Sequence, residues 1–421
     1  MENHRHVANV ALQREPAWSP EAILEVLLAV RASIIELFAS VRIDPTKGRE
    51  TARALGLNQN LAWRIARISN AKDILAVVPD IPTRTLTDRI CVACEKLGAP
   101  PNLVERMHAV IFDFDHMVKS SADNREYFEA MVSNLVQDDV TFRQEADRKR
   151  AFLSNLSLWG VYAQLNFKTM IYVPSPDNDQ MMDIVRLGGL IDFRRSRPIN
   201  WPILLMASYW DDGTPRNDPS LPRPLEQAEG QSKGSPLVFP FCSQPPPKVV
   251  QVESNAGTLF ELPGGSFGSA GSLDCVFGDL ILGTNSRYRI AHVDEYAGSM
   301  NDLYTPSQLV VHDVFWHRDL EVNGLPEVMI LDRLSMPRGS NPKVDDSHRM
   351  PLSAKVLRIS AGAAGSSLTQ YPKYSDLLQY VYRRMGWSAQ DFQGYRFTMT
   401  FPPIPSAVAM RFKLSDPPES D

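Results

Sequence analysis

Apolar residues recur along the first third of the chain at helical spacing. Ile23, Val26, Leu27, Val30, Ile34, Leu37 and Phe38 fall on one stripe of a 3.6-residue repeat, which predicts a long amphipathic helix. Ser19 can cap that helix, and Pro20 suits its first position, where an amide hydrogen has no intrahelical partner anyway. The same period predicts helices over 48–55, 59–68, 85–97, 103–118 and 127–135. Gly98-Ala99-Pro100-Pro101 stops the fourth of the six.

Beyond residue 150 the period shortens to two. Trp159, Val161, Ala163, Leu165, Phe167, Thr169, Ile171 and Val173 alternate with their neighbours, as a strand requires. A short helix is expected over Asp179–Leu187 and a buried strand over Pro202–Trp210. Further strands are expected over 258–262, 273–282 and 327–331, then a helix over Lys373–Met385 closed by Gly386. Two last strands, 395–401 and 407–414, are joined through Pro402-Pro403-Ile404-Pro405. Nine prolines crowd residues 211–247, a composition that reads as a loop or linker.

The expected class is α+β. A flexible tail, 1–18, precedes an all-α helical domain, 19–150, and a β-rich α+β region, 151–421, interrupted by the Pro-rich loop 211–247. A chain of 421 residues has the length for two or three such parts. Four cysteines make no disulfide framework, which points to a reducing compartment. The polar N-terminus lacks the apolar core of a secretory signal, and no run approaches the roughly 18 apolar residues of a membrane span. A soluble cytoplasmic protein is therefore expected. The net charge of −5 means that any attraction to nucleic acid must come from a local patch.

Such a patch exists. Between Arg42 and Lys72 seven cations face two acids, Asp44 and Glu50, a local net of +5. Within it, Gly48-Arg-Glu-Thr-Ala-Arg-Ala-Leu-Gly-Leu-Asn-Gln-Asn-Leu-Ala-Trp-Arg-Ile-Ala-Arg67 resembles the helix-turn-helix DNA-binding superfamily over about twenty residues. Ala52 is small where two helices touch, and Gly56 is free to take the positive φ of a sharp turn. Leu55, Leu57 and Ile65 fill the wedge, and Asn58 caps the second helix. Ala62 departs from the usual larger branched residue, and Trp63 is bulky for a groove-facing position. The resemblance implies that Gln59, Asn60, Trp63, Arg64 and Arg67 face DNA, with Lys47, Arg49 and Arg53 adding positive charge. It also implies duplex DNA as partner, a homodimer, and a β-rich region that senses a small-molecule effector or mediates dimerisation.

Several catalytic patterns compete and fit less well. Phe112-Asp113-Phe114-Asp115 resembles the opening motif of haloacid-dehalogenase phosphatases, but its flanks are helical and no later acidic pair follows. Gly264-Gly265-Ser266-Phe267-Gly268 matches a nucleophile pattern, with His292, His312 or His317 as a base, yet poor helix material follows it. His317-Arg318-Asp319-Leu320 lacks the asparagine of a kinase catalytic loop. Cys91 and Cys94 have metal-like spacing inside a helical pattern, and His312, Asp313 and His317 could bind a metal or form a strand-end cluster. The leading expectation is a DNA-binding transcriptional regulator, with no catalytic residue, cofactor or metal assigned. The alternatives are a hydrolase using Ser266 and an interaction or scaffold protein that does not bind DNA.

Overall fold

The computed structural model describes residues 18–122, 124–133, 140–206, 222–226, 235–254, 257–266, 268–290, 296–320, 322–334, 346–361 and 366–418. The expected tail up to residue 17, much of the Pro-rich stretch (211–221 and 227–234), residues 207–210, and His292 lie outside them. The chain is α+β and divides into two compact units, Met1–Phe142 and Arg143–Asp421.

The first unit is helical: α1 (Pro20–Ser40), α2 (Gly48–Leu55), α3 (Gln59–Asn70), a 3₁₀ turn (Leu75–Asp80), α4 (Arg84–Glu95), α5 (Pro101–Ser121) and α6 (Arg125–Ser133). The Ser19 hydroxyl accepts the Ala22 amide at 3.2 Å, the cap that the residue type suggests. The stripe from Ile23 to Phe38 is buried, together with Leu61 and Ile65 of α3, Ile90 and Cys94 of α4, and Met107, Ile111 and Phe114 of α5. Phe114 meets Phe128 edge-to-face at 6.0 Å, tying α6 to α5. Among the described residues no charged side chain belongs to this core.

The second unit holds most of a seventh helix and all the strands. These are α7 (Val140–Trp159), β1 (Val161–Pro174), β2 (Met181–Arg195), β3 (Trp201–Met206), β4 (Arg223–Pro224), β5 (Val250–Ser254), β6 (Gly257–Leu262) and β7 (Leu273–Ser286). Then follow β8 (Tyr296–Leu303), β9 (Ser307–His317), β10 (Val322–Asp332), β11 (Val356–Ser360), α8 (Tyr374–Met385), β12 (Phe392–Thr400) and β13 (Ser406–Leu414). A seven-stranded sheet runs β11-β12-β9-β1-β2-β7-β4, antiparallel except for the parallel β1–β9 pair. One face carries α8 and residues of the β3-β6-β5 sheet, including Trp201 and Leu262. The other packs on the β10-β13-β8 sheet through Tyr172, Trp316, Phe412 and Met410.

Two expectations are corrected here. Residues 181–187 form part of β2, not a helix. Both faces of the sheet are covered, so Met182, Asp183, Ile184 and Val185 are all buried and the period of two disappears from the sequence. Trp159, expected to open the first strand, instead ends a helix over 140–159 that Phe152 anchors against Tyr162 and Phe401, and the strand starts at Val161. Part of the Pro-rich stretch is packed: Leu237 bridges to Phe277 of β7, and Val238, Phe241 and Cys242 are buried.

Polar groups enter this unit in pairs. Arg396 of β12 donates from Nε and Nη2 to the two oxygens of Asp313 on β9, at 2.9 and 2.7 Å. Tyr374 of α8 donates to the same carboxylate at 2.6 Å, and Thr169 of β1 lies 2.6 Å from the Tyr374 hydroxyl. The remaining Arg396 donors reach the carbonyls of Ser366 and Ser367. The centre of the sheet also contains adjacent glycines. Gly188 faces the ring of Phe277 and Gly189 the ring of Phe167, each its cross-strand partner, and a Cβ would come within 2.4 and 2.3 Å of the respective ring.

Candidate nucleic-acid interface

The segment that resembles a helix-turn-helix folds as two helices around a left-handed glycine. Gly56 has φ 62°, and the Leu57 amide returns to the Ala52 carbonyl at 3.0 Å. Asn58 then caps α3, its side chain accepting the Asn60 amide at 2.7 Å. Leu55, Leu61, Ala62, Ile65, Ala66 and Ile68 turn inward. α2 meets α3 at Gly48, against the backbone of Ala62 and Trp63. A Cβ added to Gly48 would lie 3.3 Å from the Trp63 ring and 3.4 Å from the Ala62 carbonyl oxygen. Thr51 is buried and donates to the Asp44 carbonyl at 3.1 Å, while Asn70 reaches the Thr46 carbonyl at 3.3 Å. Both ends of the motif are thus tied to residues 44–46.

Gln59, Asn60, Trp63 and Arg67 are exposed on the outer side of α3, and Trp63 leaves 45% of its surface open. Lys47, Arg49 and Arg53 are exposed at or on α2. Lys47 pairs loosely with Glu50 at 3.5 Å, and among the described residues no ion pair holds Arg49 or Arg53. Likewise among the described residues, no hydrogen bond engages the side chain of Gln59 or Asn60, since the Asn58 cap accepts the backbone amide of Asn60.

Arg64 is placed differently from its neighbours. It is half-buried, and its guanidinium donates to the carbonyls of Pro79, Asp80 and Ile81, each at 3.1 Å. Burial, with repulsion from Arg125, lowers its pKa from the usual arginine value. Arg125 reaches two carbonyls of the same turn, Val78 at 3.1 Å and Ile81 at 2.7 Å. Arg67 donates from Nε to Asp80 at 2.7 Å, and that hydrogen bond holds its pKa up. Arg64 and Arg67 therefore fasten α3 to the 3₁₀ turn. Asp80, their shared partner, carries no sequence signal that singles it out.

The rival motifs separate. Phe112 and Asp113 are exposed on α5, Phe114 is core, and Asp115 pairs with Arg84. Cys91 and Cys94 are buried on α4, where burial pushes their thiols up to about 12 and about 11. Ser266 is exposed in the loop after β6. His312 is fully buried on β9 and bonds Ser299 at 2.6 Å, whereas His317 accepts the Asp319 amide at 3.2 Å. Asp313 belongs to Arg396, so these two histidines and Asp313 have separate partners. Among the described residues no group of three metal-ligating side chains comes together. Comparison with family models, with curated proteins and with solved structures finds no match to this chain.

Proposed function

We propose that this protein binds duplex DNA, with α3 as the reading helix, and acts as a transcriptional regulator. The observation that carries the reading is the outer face of α3. Gln59, Asn60 and Trp63 are exposed together at its N-terminal half, on a helix whose opposite side is fixed to its own unit. Reading helices contact base edges through their N-terminal residues. Asn and Gln pair with adenine, and an apolar ring suits a thymine methyl. Arg49 and Arg53 suit phosphates, which supply affinity without sequence preference. Arg64, occupied by three carbonyls, supports α3 in this reading and does not touch a base.

The second unit then senses an effector or mediates dimerisation. A two-fold dimer would set two reading helices about 34 Å apart, one turn of DNA. Among the described residues no helix is long and apolar enough to cross a membrane, and a cytoplasmic location is part of the same proposal.

The test is a selection of bound sequences from a random duplex pool by the full chain, with sedimentation reporting the dimer. Enrichment of a two-part site is expected, and Asn60→Ala should flatten preference at one position in each half. No enrichment, with binding at about 100 mM salt no tighter than about 10⁻⁴ M, would sink the reading. The helices would then be a protein-binding bundle.

A further inference from the structure

The seven-stranded sheet buries polar groups on both faces, and the two sets differ. The Asp313 set is closed by Arg396, Tyr374 and two carbonyls. On the other face Lys168 of β1 donates to the Met300 carbonyl of β8 at 2.5 Å, and among the described residues it forms no ion pair. Its parallel neighbour His312 bonds Ser299 through Nε2, and its buried ring lies against the Lys168 backbone. Asn301 of β8 is buried too, and its Nδ2 has no partner among the described residues. The residue opposite Lys168 on β2 is Gly188, and the Phe277 ring of β7 lies over that glycine. Lys168 remains partly open to solvent.

Charge around it does not balance. Arg186 of β2 is held by Asp279 of β7 at 2.7 and 2.6 Å, and Arg333, beyond β10, by Asp302 of β8 at 2.6 Å. Lys168 is the cation left over. We propose that Lys168 anchors a site for a small oxyanion, a carboxylate or phosphate group, at the margin of β8, with the His312 imidazole and the Asn301 amide as its polar neighbours. All of these residues belong to the strand-rich unit.

Titration follows from the surroundings. Burial lowers the Lys168 amine to about 8, Arg186 and Arg333 repel it further, and Asp302 and Asp279 oppose them. His312 stays neutral, because burial and Lys168 lower it to about 3. With the folded pKa near 8 and the usual value at 10.5, the buried charge destabilises the fold fully below pH 8. That penalty is relieved between 8 and 10.5. A bound anion offsets the penalty by supplying the missing countercharge, and it binds only the protonated amine.

The experiment is calorimetric titration of the full chain with sulfate and, separately, with acetate, at constant ionic strength. Saturable binding of at least one anion is expected near neutral pH, weakening about tenfold between pH 7 and pH 9 as the protonated fraction falls. Sulfate preference identifies a phosphate-like ligand and acetate preference a carboxylate. Lys168→Met should abolish binding, and Lys168→Arg should keep it and remove its pH dependence. If Lys168→Met fails to fold, the wild-type pH profile and Lys168→Arg decide. No saturable binding up to about 50 mM of either anion, a flat pH profile, or binding that survives in Lys168→Met would overturn the proposal.

Discussion

The two units treat charge in opposite ways. The helical unit has an apolar core and sets cations such as Arg49 and Arg53 on its surface, exposed without an ion-pair partner among the described residues. The strand-rich unit takes charge inside: Asp313, Asp279 and Arg396 are all buried, and each is hydrogen-bonded to a partner of opposite sign. Surface cations contribute little to stability but attract polyanions, and salt screens them. Buried pairs are insensitive to salt, and losing one partner leaves an isolated charge. The first unit should therefore respond to ionic strength and the second to pH and to substitution.

The largest expected effect tests that contrast directly. Asp313→Ala leaves Arg396 buried without its carboxylate and should cost about 3–5 kcal/mol in urea unfolding. Arg53→Ala should stay within about 0.5 kcal/mol. Equal costs would break the comparison.

Acid comes next. Burial holds His312 at about 3, below its usual 6.5, so the unfolded state binds the proton first as pH falls. Stability is intact above pH 6.5 and should drop by up to about 1.4 kcal/mol per pH unit below it. Replacing the imidazole in His312→Gln should flatten this limb, as followed by thermal melts from pH 7 to pH 4.

On the first unit, Asn60→Ala should weaken binding to a selected DNA site by about 1–3 kcal/mol. Arg53→Ala should instead lower the slope of log affinity against log salt by about 1. Filter binding over a salt series separates the two. Gly56→Ala forces a side chain into left-handed backbone and should cost about 1–2 kcal/mol, read as a lowered melting temperature. A neutral Gly56→Ala would mean that the turn relaxes.

The parts that were readable from sequence bury one face more deeply than the other. The stripe of α1, the first half of β1, where buried and half-buried positions alternate, and the Gly56–Asn58 punctuation of the α2–α3 motif all reflect such a division. β2 and β9 were hidden because sheets and a helix cover both their faces, which removes alternation. α7 was hidden for the opposite reason. It is polar, and it is held by contacts such as Arg148 to the Thr400 carbonyl at 3.2 Å, far away in sequence. At the candidate site, helical spacing put Arg64 and Arg67 beside the exposed positions. It could not reveal that carbonyls 79–81 and Asp80 would claim them. Lys168 was legible only as a member of an alternating strand, since its isolation depends on which partners β2, β8 and β9 bring.

The glycine pair at the centre of β2 bears on how errors in strand pairing are rejected. Shifting a strand by one residue exchanges its faces. Here Phe167 and Phe277 cover Gly189 and Gly188 from opposite sides, and the flanking residues are Leu187 and Leu190. A slip in either direction would bring a leucine to one of the rings, where even a methyl group does not fit with the rings in place. β2 is therefore checked from both sides, by Phe167 of β1 against a slip in one direction and by Phe277 of β7 against the other, with no part played by the distant strand β9.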